Sequence, residues 1–483
     1  MSRSRGRWTL LCGLGLASLL GGGSCKRRDT LPPVVFAPLS DDGDDEAGVH
    51  DAPTWPAPVR AELDNQALVY WQHESDTTGF HVRVFLPTRD GDGKLLRASE
   101  VLWWARVFEV RLAPALKRNS VDVRVDLSPG RLEVALSGPN SSLERVLTKL
   151  ASVFATAPSD RQRARAQGWA VKRFHVPRHA EVAAVDVTCR LLGLRSGTQL
   201  ASRAELIEGN RPIDWPVLVD PRRAVVVVHS SQTAMASGET LGALARDWIA
   251  PRSGGPTGVS AVERLRGELG VLPSVRGRLA GSGQADLHVV EPDVDVSGGR
   301  PTLVLGRVVP TPTAADRAMA RLAQRVVQES IDARLELVGD RAVFLVRVPL
   351  LDRDVPAGIA RTLRALTSFA ETQQTRGRLT QAARLWLGAR LVEHSLAGED
   401  WTALWSESLD LAVSDPEIVR ALAREAEGMM AISPEQLQQW MRQWLHPAQS
   451  DPGWTWSVAG LDAAGEKALS GSNRLVTSRW GAN

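Results

Sequence analysis

Two histidines, His175 and His179, stand four residues apart in the sequence His-Val-Pro-Arg-His, and Glu181 follows them. On one face of a helix, these residue types at this spacing would suit a zinc ion. Pro177 lies between the histidines and disfavours a helix there, so the helical geometry would be lost. Arg178 would also place a positive charge beside a metal. The alternative interpretation is two histidines in a loop at the start of a helix.

Other motifs that carry chemistry are missing from the sequence. There is no Gly-x-Ser-x-Gly nucleophile motif, no phosphate-loop signature and no Cys-x-x-Cys pair. A serine-histidine-aspartate triad stays open, because its members can lie far apart in sequence. The net charge is only +3, which does not indicate a nucleic-acid partner.

The first 25 residues resemble an export signal. Three arginines precede an apolar run from Trp8 to Leu20, which is short for a membrane span. Small residues at 21–24 then lead to Cys25, which would be lipidated in a bacterial lipoprotein signal. An ordinary cleaved signal and an uncleaved anchor are the alternatives. We expect an exported protein of the bacterial cell envelope, anchored by lipid to a membrane that faces the periplasm.

The cysteines and the next segment fit an exported, tethered protein. Residues 26–60 are rich in proline and include the acidic run Asp41–Glu46, which predicts a disordered tether. Of the 3 cysteines, Cys12 lies in the signal and Cys25 would carry lipid. Cys189 is then alone, so we expect no intrachain disulfide, and we expect Cys189 to pack as a small apolar residue.

The periodicity of apolar residues predicts the elements of the first half. A strand (Phe80–Pro87) leads into a helix (Ala98–Leu112), and a hairpin turns at Ser128-Pro129-Gly130-Arg131. Ser141 and Glu144 predict a capping box at the start of the next helix. The remaining predicted elements are a helix (Asp160–Phe174), a buried strand (Arg223–His229) and a helix (Glu239–Ile249).

The second half repeats the order of strand, helix and strand. The predicted elements are a strand (Thr302–Val309), a helix from Ala314 to about Arg334 with Thr311 as its cap, and a strand (Ala342–Val348). A later helix begins at Ser433-Pro434-Glu435, and Trp454–Val458 is a closing strand. Four tryptophans at helical spacing predict a core stripe: Trp401, Trp405, Trp440 and Trp444.

These patterns predict an α+β fold of two structurally similar halves, each a mostly antiparallel sheet covered by helices, joined by a linker to form a clamshell. The predicted N-terminal domain spans residues 61–250, the linker 251–284 and the C-terminal domain 285–483. A chain of 483 residues with 43% hydrophobic residues can form two packed cores.

This layout resembles the insulinase-like (M16) zinc peptidase family over most of residues 59–461. The resemblance rests on the opening Leu63-Asp64-Asn65, the hairpin and following helix of the first half, the segment Ile331–Leu335 after the second-half helix, and the final part from Trp401 to Leu461. It implies two α/β halves that face each other around a chamber.

The zinc ligands of that family are missing from the matching positions. Active members carry a His-x-x-Glu-His box on the first helix and a further Glu on a later helix. The matching helix, residues 98–109, has no histidine, and Trp103 and Trp104 stand near the position of the ligands. The later helix, Asp160–Phe174, has no glutamate. The resemblance therefore implies a non-catalytic member without catalytic residues of its own.

Several functions follow from this resemblance. In two-subunit members, a silent chain helps an active zinc peptidase to hold extended peptides, so zinc is expected only in a partner subunit and this chain needs no cofactor. The implied partners are a relative bearing the His-x-x-Glu-His box, or a second copy of this chain, together with peptides and a membrane. The alternatives are a non-proteolytic peptide-binding or scaffold lipoprotein, and an active metallopeptidase with a displaced site at His175 and His179.

Overall fold

A computed structural model describes residues 58–88, 95–128, 130–193, 201, 203–208, 215–233, 238–248, 287–292, 300–310, 313–338, 341–350, 355–396, 402, 405, 421–447, 454–470 and 475–480. The predicted signal with Cys25, the acidic run and the linker 251–284 lie outside these residues. Among the described residues, no helix combines the length and the apolar character that crossing a membrane would require.

The first half consists of six strands and seven helices among the described residues. The strands are β1 (Val59–Glu62), β2 (Leu68–His73), β3 (Gly79–Pro87), β4 (Asp122–Ser128), β5 (Arg131–Pro139) and β6 (Val225–Ser230). The helices are α1 (Ala98–Leu116), α2 (Leu143–Ala155), α3 (Asp160–Lys172), α4 (His179–Leu192), α5 (Arg203–Glu208), α6 (Trp215–Leu218) and α7 (Gly238–Asp247).

The second half contains six strands and six helices whose bounds the structure describes. The strands are β7 (Leu287–Pro292), β8 (Thr302–Val309), β9 (Asp332–Val338), β10 (Arg341–Pro349), β11 (Thr455–Ala459) and β12 (Leu475–Trp480). The helices are α8 (Ala314–Gln328), α9 (Val355–Glu371), α10 (Arg376–Leu396), α11 (Ala421–Ala431), α12 (Pro434–Trp444) and α13 (Ala463–Ser470).

Each half contains one six-stranded sheet, and five strands of each sheet follow the same plan. The strand orders are β1-β2-β6-β3-β5-β4 and β12-β7-β11-β8-β10-β9. β2 pairs with β6 in parallel, as β7 does with β11, and the pairs that follow in both sheets are antiparallel. The prediction of two mostly antiparallel sheets covered by helices is confirmed, and so is the repeated order of elements.

One face of the first sheet packs on α1 and α2. Alternate residues of β3, Val82, Val84 and Leu86, lie in one cluster with Phe108 of α1 and Leu147 of α2. All five side chains are fully buried. Each fully buried side chain of this size stabilises the fold by about 2 kcal/mol relative to an exposed one.

The two halves also exchange covering elements. α4 belongs to the first half by sequence, yet Val187 and Leu191 on α4 join a cluster with Val304 of β8 and Leu345 of β10 in the second sheet. Gly306 of β8 permits this close approach, because a Cβ there would lie 2.1 Å from a methyl carbon of Val187. A helix of the first half by sequence therefore covers part of the second sheet.

The reciprocal contact comes from the segment around Trp405. Its indole is buried and packs on Tyr70 of β2, with ring centroids 4.4 Å apart. Thr402, also buried, accepts a 2.9 Å hydrogen bond from Nε of Arg83 on β3. The tryptophan stripe is core where the structure describes it, since Trp405 and Trp440 are buried and Trp444 packs against the same cluster. Trp401 lies outside the described residues.

Four local predictions were wrong. The strand predicted at Trp454–Val458 does not close the second sheet, since β12 follows it in the chain and pairs with β7. The helix predicted to reach Arg334 ends at Gln328, because the chain turns there and Asp332–Val338 joins the sheet as β9. Its cap is Thr313, whose Oγ1 accepts a hydrogen bond from the Asp316 N–H, and not Thr311. Ser141 does not cap α2, since a 3₁₀ turn at Asn140–Ser142 precedes that helix.

Candidate functional site

The first part of the candidate site is α1, the helix that matches the zinc-binding helix in the resemblance. The backbone N–H of Arg97 donates a 2.9 Å hydrogen bond to the Glu100 carboxylate, which fixes the start of α1. Trp103 and Trp104 are both buried, with ring centroids 4.5 Å apart. Trp104 also packs on Trp215, at 5.3 Å between centroids. The two tryptophans therefore fill core space beneath α1.

The second part is the contact between α1 and α3. Ser159 caps α3 by accepting a 3.3 Å hydrogen bond from the Gln162 N–H. The buried face of α3 carries Ala166 and Ala170. Small side chains let two helices approach closely, and α3 packs on α1.

A charge network joins these two helices. Glu109 of α1 forms an ion pair with Arg106 one turn earlier. The other Glu109 oxygen lies 3.4 Å from Nη1 of Arg173, the residue that ends α3. Arg106 and Glu109 are largely buried and Arg173 is half-exposed. The Glu109 carboxylate is thus held between two cations.

These residues do not fit a zinc ion. Zinc needs three or four nitrogen, sulfur or carboxylate ligands, whereas Glu109 at the α1–α3 contact is already paired with Arg106 and Arg173. The two guanidinium groups would repel a divalent cation. Across the described residues, no group of three or more His, Cys, Asp or Glu side chains is placed to hold a metal.

The structure separates the surroundings of His175 and His179. His179 is the first residue of α4, and His175 lies in the loop before it. Nε2 of His175 is 3.5 Å from the Glu181 carboxylate, which also accepts a 2.9 Å hydrogen bond from the Arg178 N–H at the start of α4. The loop-and-helix-start interpretation therefore describes the local structure.

The ring of His179 packs instead on Gly460, where an added Cβ would lie 2.7 Å from the imidazole. Gly460 follows β11 and has a φ of +81°, so glycine suits both the backbone conformation and the space. Burial lowers the pKa of His179. The packing of this imidazole on the backbone is a structural contact between the two halves.

The third part of the site is the edge of the first sheet at β4, which pairs with no further strand among the described residues. β4 is the last strand of that sheet, and its partner on the inner side is β5. Asp122 and Arg124 are exposed on β4, and Nε of Arg124 donates a 2.8 Å hydrogen bond to Asp126. An edge strand presents backbone N–H and C=O groups to which an extended peptide can add. α1 contacts this same strand.

Sequence reasoning missed a buried ion pair that lies under this sheet. Arg83 of β3 and Glu133 of β5 form a salt bridge, and both side chains are almost fully buried. The same Arg83 donates to Thr402 of the second half. The signal in the sequence was a charged residue inside each of two mostly apolar strands, Arg83 in β3 and Glu133 in β5. The partner of Arg83 in the second half could not be found from periodicity, because that contact spans over three hundred residues.

Two further groups have perturbed pKa values because of burial. Arg111 of α1 lies over Trp215, with Cζ 5.1 Å from the ring centre, and burial lowers the pKa of Arg111 to about 10. Burial, and then the negative charges of Asp186 and Glu336, raise the pKa of the Cys189 thiol. Cys189 is 3% exposed, so it packs in the core as the sequence predicts.

The architecture is similar to that of several solved structures. The chain is similar to a protease from Helicobacter pylori, with a TM-score of 0.61 and 11% identity over 84% of this chain and 100% of that one. It is similar to the inactive domain of peptidase M16 from Pseudomonas fluorescens, with a TM-score of 0.58 and 13% identity over 84% and 98%. The first half of the periplasmic protease PqqL from Escherichia coli matches with a TM-score of 0.56 and 12% identity over 86% and 94%.

The chain therefore has the fold of the M16-like peptidases, and the resemblance inferred from the sequence is confirmed at the level of the fold. No protein-family model matches the sequence, and no curated protein does.

Proposed function

We propose that this chain is a catalytically silent M16-like subunit that holds extended peptides for a zinc-bearing relative. The observation that carries the proposal is the α1–α3 contact, where Glu109 is bound between Arg106 and Arg173. A chain that keeps the peptidase fold while cations occupy the contact expected to bind zinc can position a peptide but lacks the group that activates water.

The edge of β4, which has no partner strand beyond it in the part of the chain that the structure describes, supports the peptide-holding part of this role. Backbone hydrogen bonds between an edge strand and an extended peptide need no particular side chains, so such an edge accepts many sequences. The buried Arg83–Glu133 pair joins β3 to β5, the strand that pairs with β4. A strand already held in a sheet is ordered before the peptide adds to it, which lowers the entropic cost of binding.

We place the protein in the bacterial envelope, lipid-anchored through Cys25 and exposed to the periplasm. The sequence pattern before Cys25 and the likeness to a periplasmic protease support this location. Changing Cys25→Ala should move the full-length protein from the detergent-extracted membrane fraction to the soluble fraction or leave it as an uncleaved precursor. Cys189→Ala is the matched control. A Cys25→Ala protein that stays mature and membrane-bound would refute lipidation.

The subunit role is tested by purifying the tagged full-length protein from its native envelope after mild crosslinking. We expect near-stoichiometric recovery of a relative that bears the His-x-x-Glu-His box, and peptide cleavage by the pair that neither chain shows alone. Recovery of this chain alone, or of a homodimer, would contradict the subunit role and favour a non-proteolytic scaffold.

Binding of a peptide to the edge strand β4 is tested by modifying the peptide and leaving the protein unchanged. An extended peptide that binds the full-length chain is compared with two versions N-methylated on alternate residues, one for each edge of the extended peptide. Only one of the two sets of N–H groups can point at β4, so one version should lose binding and the other should keep it. Equal binding by both versions would exclude strand addition.

A further inference from the structure

The outer face of α3 carries a row of cations. Arg161, Arg165 and Lys172 are exposed and fall within about 40° of one another around the helix axis, at 100° per residue. They lie opposite the side of α3 that is buried, which carries Ala166 and Ala170. We call the surface formed by Arg161, Arg165, Gly168, Trp169 and Lys172 the α3 cationic face.

The charges of this face are not neutralised within the described part of the molecule. Of the five cations between positions 160 and 173, Arg163 pairs with Asp160 and Arg173 pairs with Glu109. Arg161, Arg165 and Lys172 form no ion pair with any described residue. Three like charges within three turns of one helix repel each other, so an external anion would stabilise them.

The helix at the matching place of the second half uses its arginines differently. Arg376 of α10 donates to the carbonyl oxygens of Ile432 and Met430, at 2.6 and 2.5 Å. Arg378 of α10 forms a 2.7 Å ion pair with Glu329. In α10 these arginines bind within the protein, whereas on α3 the row of cations faces solvent. The fold itself therefore does not require the row on α3.

An aromatic ring orients part of the α3 cationic face. The Cζ atoms of Arg165 and Arg173 lie 5.0 and 4.6 Å from the centre of the Trp169 ring. Stacking on an indole restricts a guanidinium group while its N–H groups stay free to donate. A restricted guanidinium loses less entropy when it binds a carboxylate in the bidentate manner.

Gly168 stands in the middle of the α3 cationic face, between Arg165 and Lys172. Glycine is the weakest helix former after proline. A Cβ at Gly168 would meet no atom within 4 Å, so nothing inside the described molecule demands glycine there. The missing side chain exposes the helix backbone, which allows the main chain of a ligand to come close.

We propose that the α3 cationic face binds an acidic, extended peptide segment, with carboxylates on Arg161, Arg165 and Lys172 and its main chain passing over Gly168. The inference deepens the proposed peptide-holding function and rests on it for its biological role, since it names acidic polypeptides as the preferred substrate class. The position is suitable because α3 packs on α1, and α1 contacts the edge strand β4.

The test measures the affinity of the full-length protein for a fluorescent hexaglutamate peptide and for a serine-glycine peptide of equal length, at about 50 mM and 300 mM salt. Simultaneous Arg161→Glu, Arg165→Glu and Lys172→Glu changes should weaken hexaglutamate binding by about thirtyfold or more at low salt. The wild-type preference for hexaglutamate should shrink as salt rises. No preference for the acidic peptide in the wild type would overturn the inference.

A control variant separates a local site from an effect of net charge. Lys117→Glu, Arg364→Glu and Arg442→Glu make the same change of charge at exposed positions elsewhere. This variant should keep hexaglutamate affinity within about threefold of the wild type. Equal losses in the two triple variants would overturn the inference, because attraction by total charge would then explain the binding.

Gly168→Ala provides a second, independent test. The change should raise the melting temperature, since alanine favours the helix and meets no neighbour, yet it should weaken hexaglutamate binding by about threefold or more. Gly377→Ala on α10, where a Cβ also meets open space, should leave the affinity unchanged. A Gly168→Ala protein with undiminished affinity would refute close approach of the peptide main chain.

Two further experiments distinguish the α3 inference from binding of an anionic membrane and from the proposed function. If vesicles with phosphatidylglycerol outcompete hexaglutamate, and neutral phosphatidylcholine vesicles do not, the face binds an anionic membrane and the peptide inference is wrong. If the α3 triple variant still binds neutral extended peptides and still recovers a zinc-bearing relative, the proposed function stands whether or not the α3 inference does. If the wild-type protein recovers no zinc-bearing relative, the proposed function is refuted, whereas the binding of acidic peptides by the α3 cationic face is not.

Discussion

The close contact between α4 and the second sheet predicts how the stability of the protein should change when the side chains at Gly306 and Val187 change in size. A Cβ at Gly306 would lie 2.1 Å from Val187 and 2.9 Å from Leu345, well inside van der Waals contact. Gly306→Ala should therefore overpack the site and lower the free energy of unfolding by about 1–3 kcal/mol. In a strand with space for the new methyl group, the same change would be mildly stabilising. A loss of stability would therefore be evidence for the contact between α4 and β8.

The compensating change is Val187→Ala, which removes two buried methyl groups. Alone it should cost about 2 kcal/mol, from the lost burial and the cavity that remains. Combined with Gly306→Ala, the new methyl group should occupy part of that cavity. We expect the double variant to be more stable than the sum of the two single effects predicts, by about 1–2 kcal/mol.

The assay is urea unfolding of the mature chain followed by tryptophan fluorescence, with Gly377→Ala as a control at a glycine in open space. Urea midpoints should fall for both single variants and recover in part for the double variant. Strictly additive effects, or a stabilising Gly306→Ala, would refute the packing of α4 on β8. A transition in two steps would show that the halves unfold separately despite α4.

Three further predictions concern buried charge and titration. Glu133→Gln should destabilise the protein by about 3–5 kcal/mol, because it leaves Arg83 buried without its carboxylate; a urea midpoint within error of the wild type would contradict this. His179 has a pKa lowered by burial, so its stabilising contribution is present above about pH 6.5 and is lost as pH falls through the lower folded pKa. The wild type should accordingly lose stability as the pH falls below about 6.5, and His179→Gln should flatten that dependence; an unchanged pH dependence in this variant would contradict the prediction. Cys189 has a raised pKa, so its contribution is present below about pH 8.5 and is lost as pH rises; it should react with a disulfide reagent only after unfolding, and fast reaction of the native protein would refute its burial.

The sequence predicted those parts of the structure that depend on local chemistry. The hairpin at Ser128–Arg131, the capped start of α12 at Ser433 and the repeated order of strand and helix all follow from periodicity and from turn or cap residues. The end of α8 was missed because the apolar period continues past Gln328, and only pairing with β10 makes Asp332–Val338 a strand. Propensity alone cannot detect a partner strand.

The absence of a zinc box on the matching helices was a property of the sequence by itself, since a residue type that is missing cannot be supplied by folding. The contacts that replace it were decided by tertiary structure. Glu109 meets Arg173 only because α3 packs on α1, and α4 covers the second sheet only because Gly306 leaves room for Val187. These contacts join residues distant in the chain, whose encounter depends on the packing of whole elements and leaves no periodic signal in the sequence.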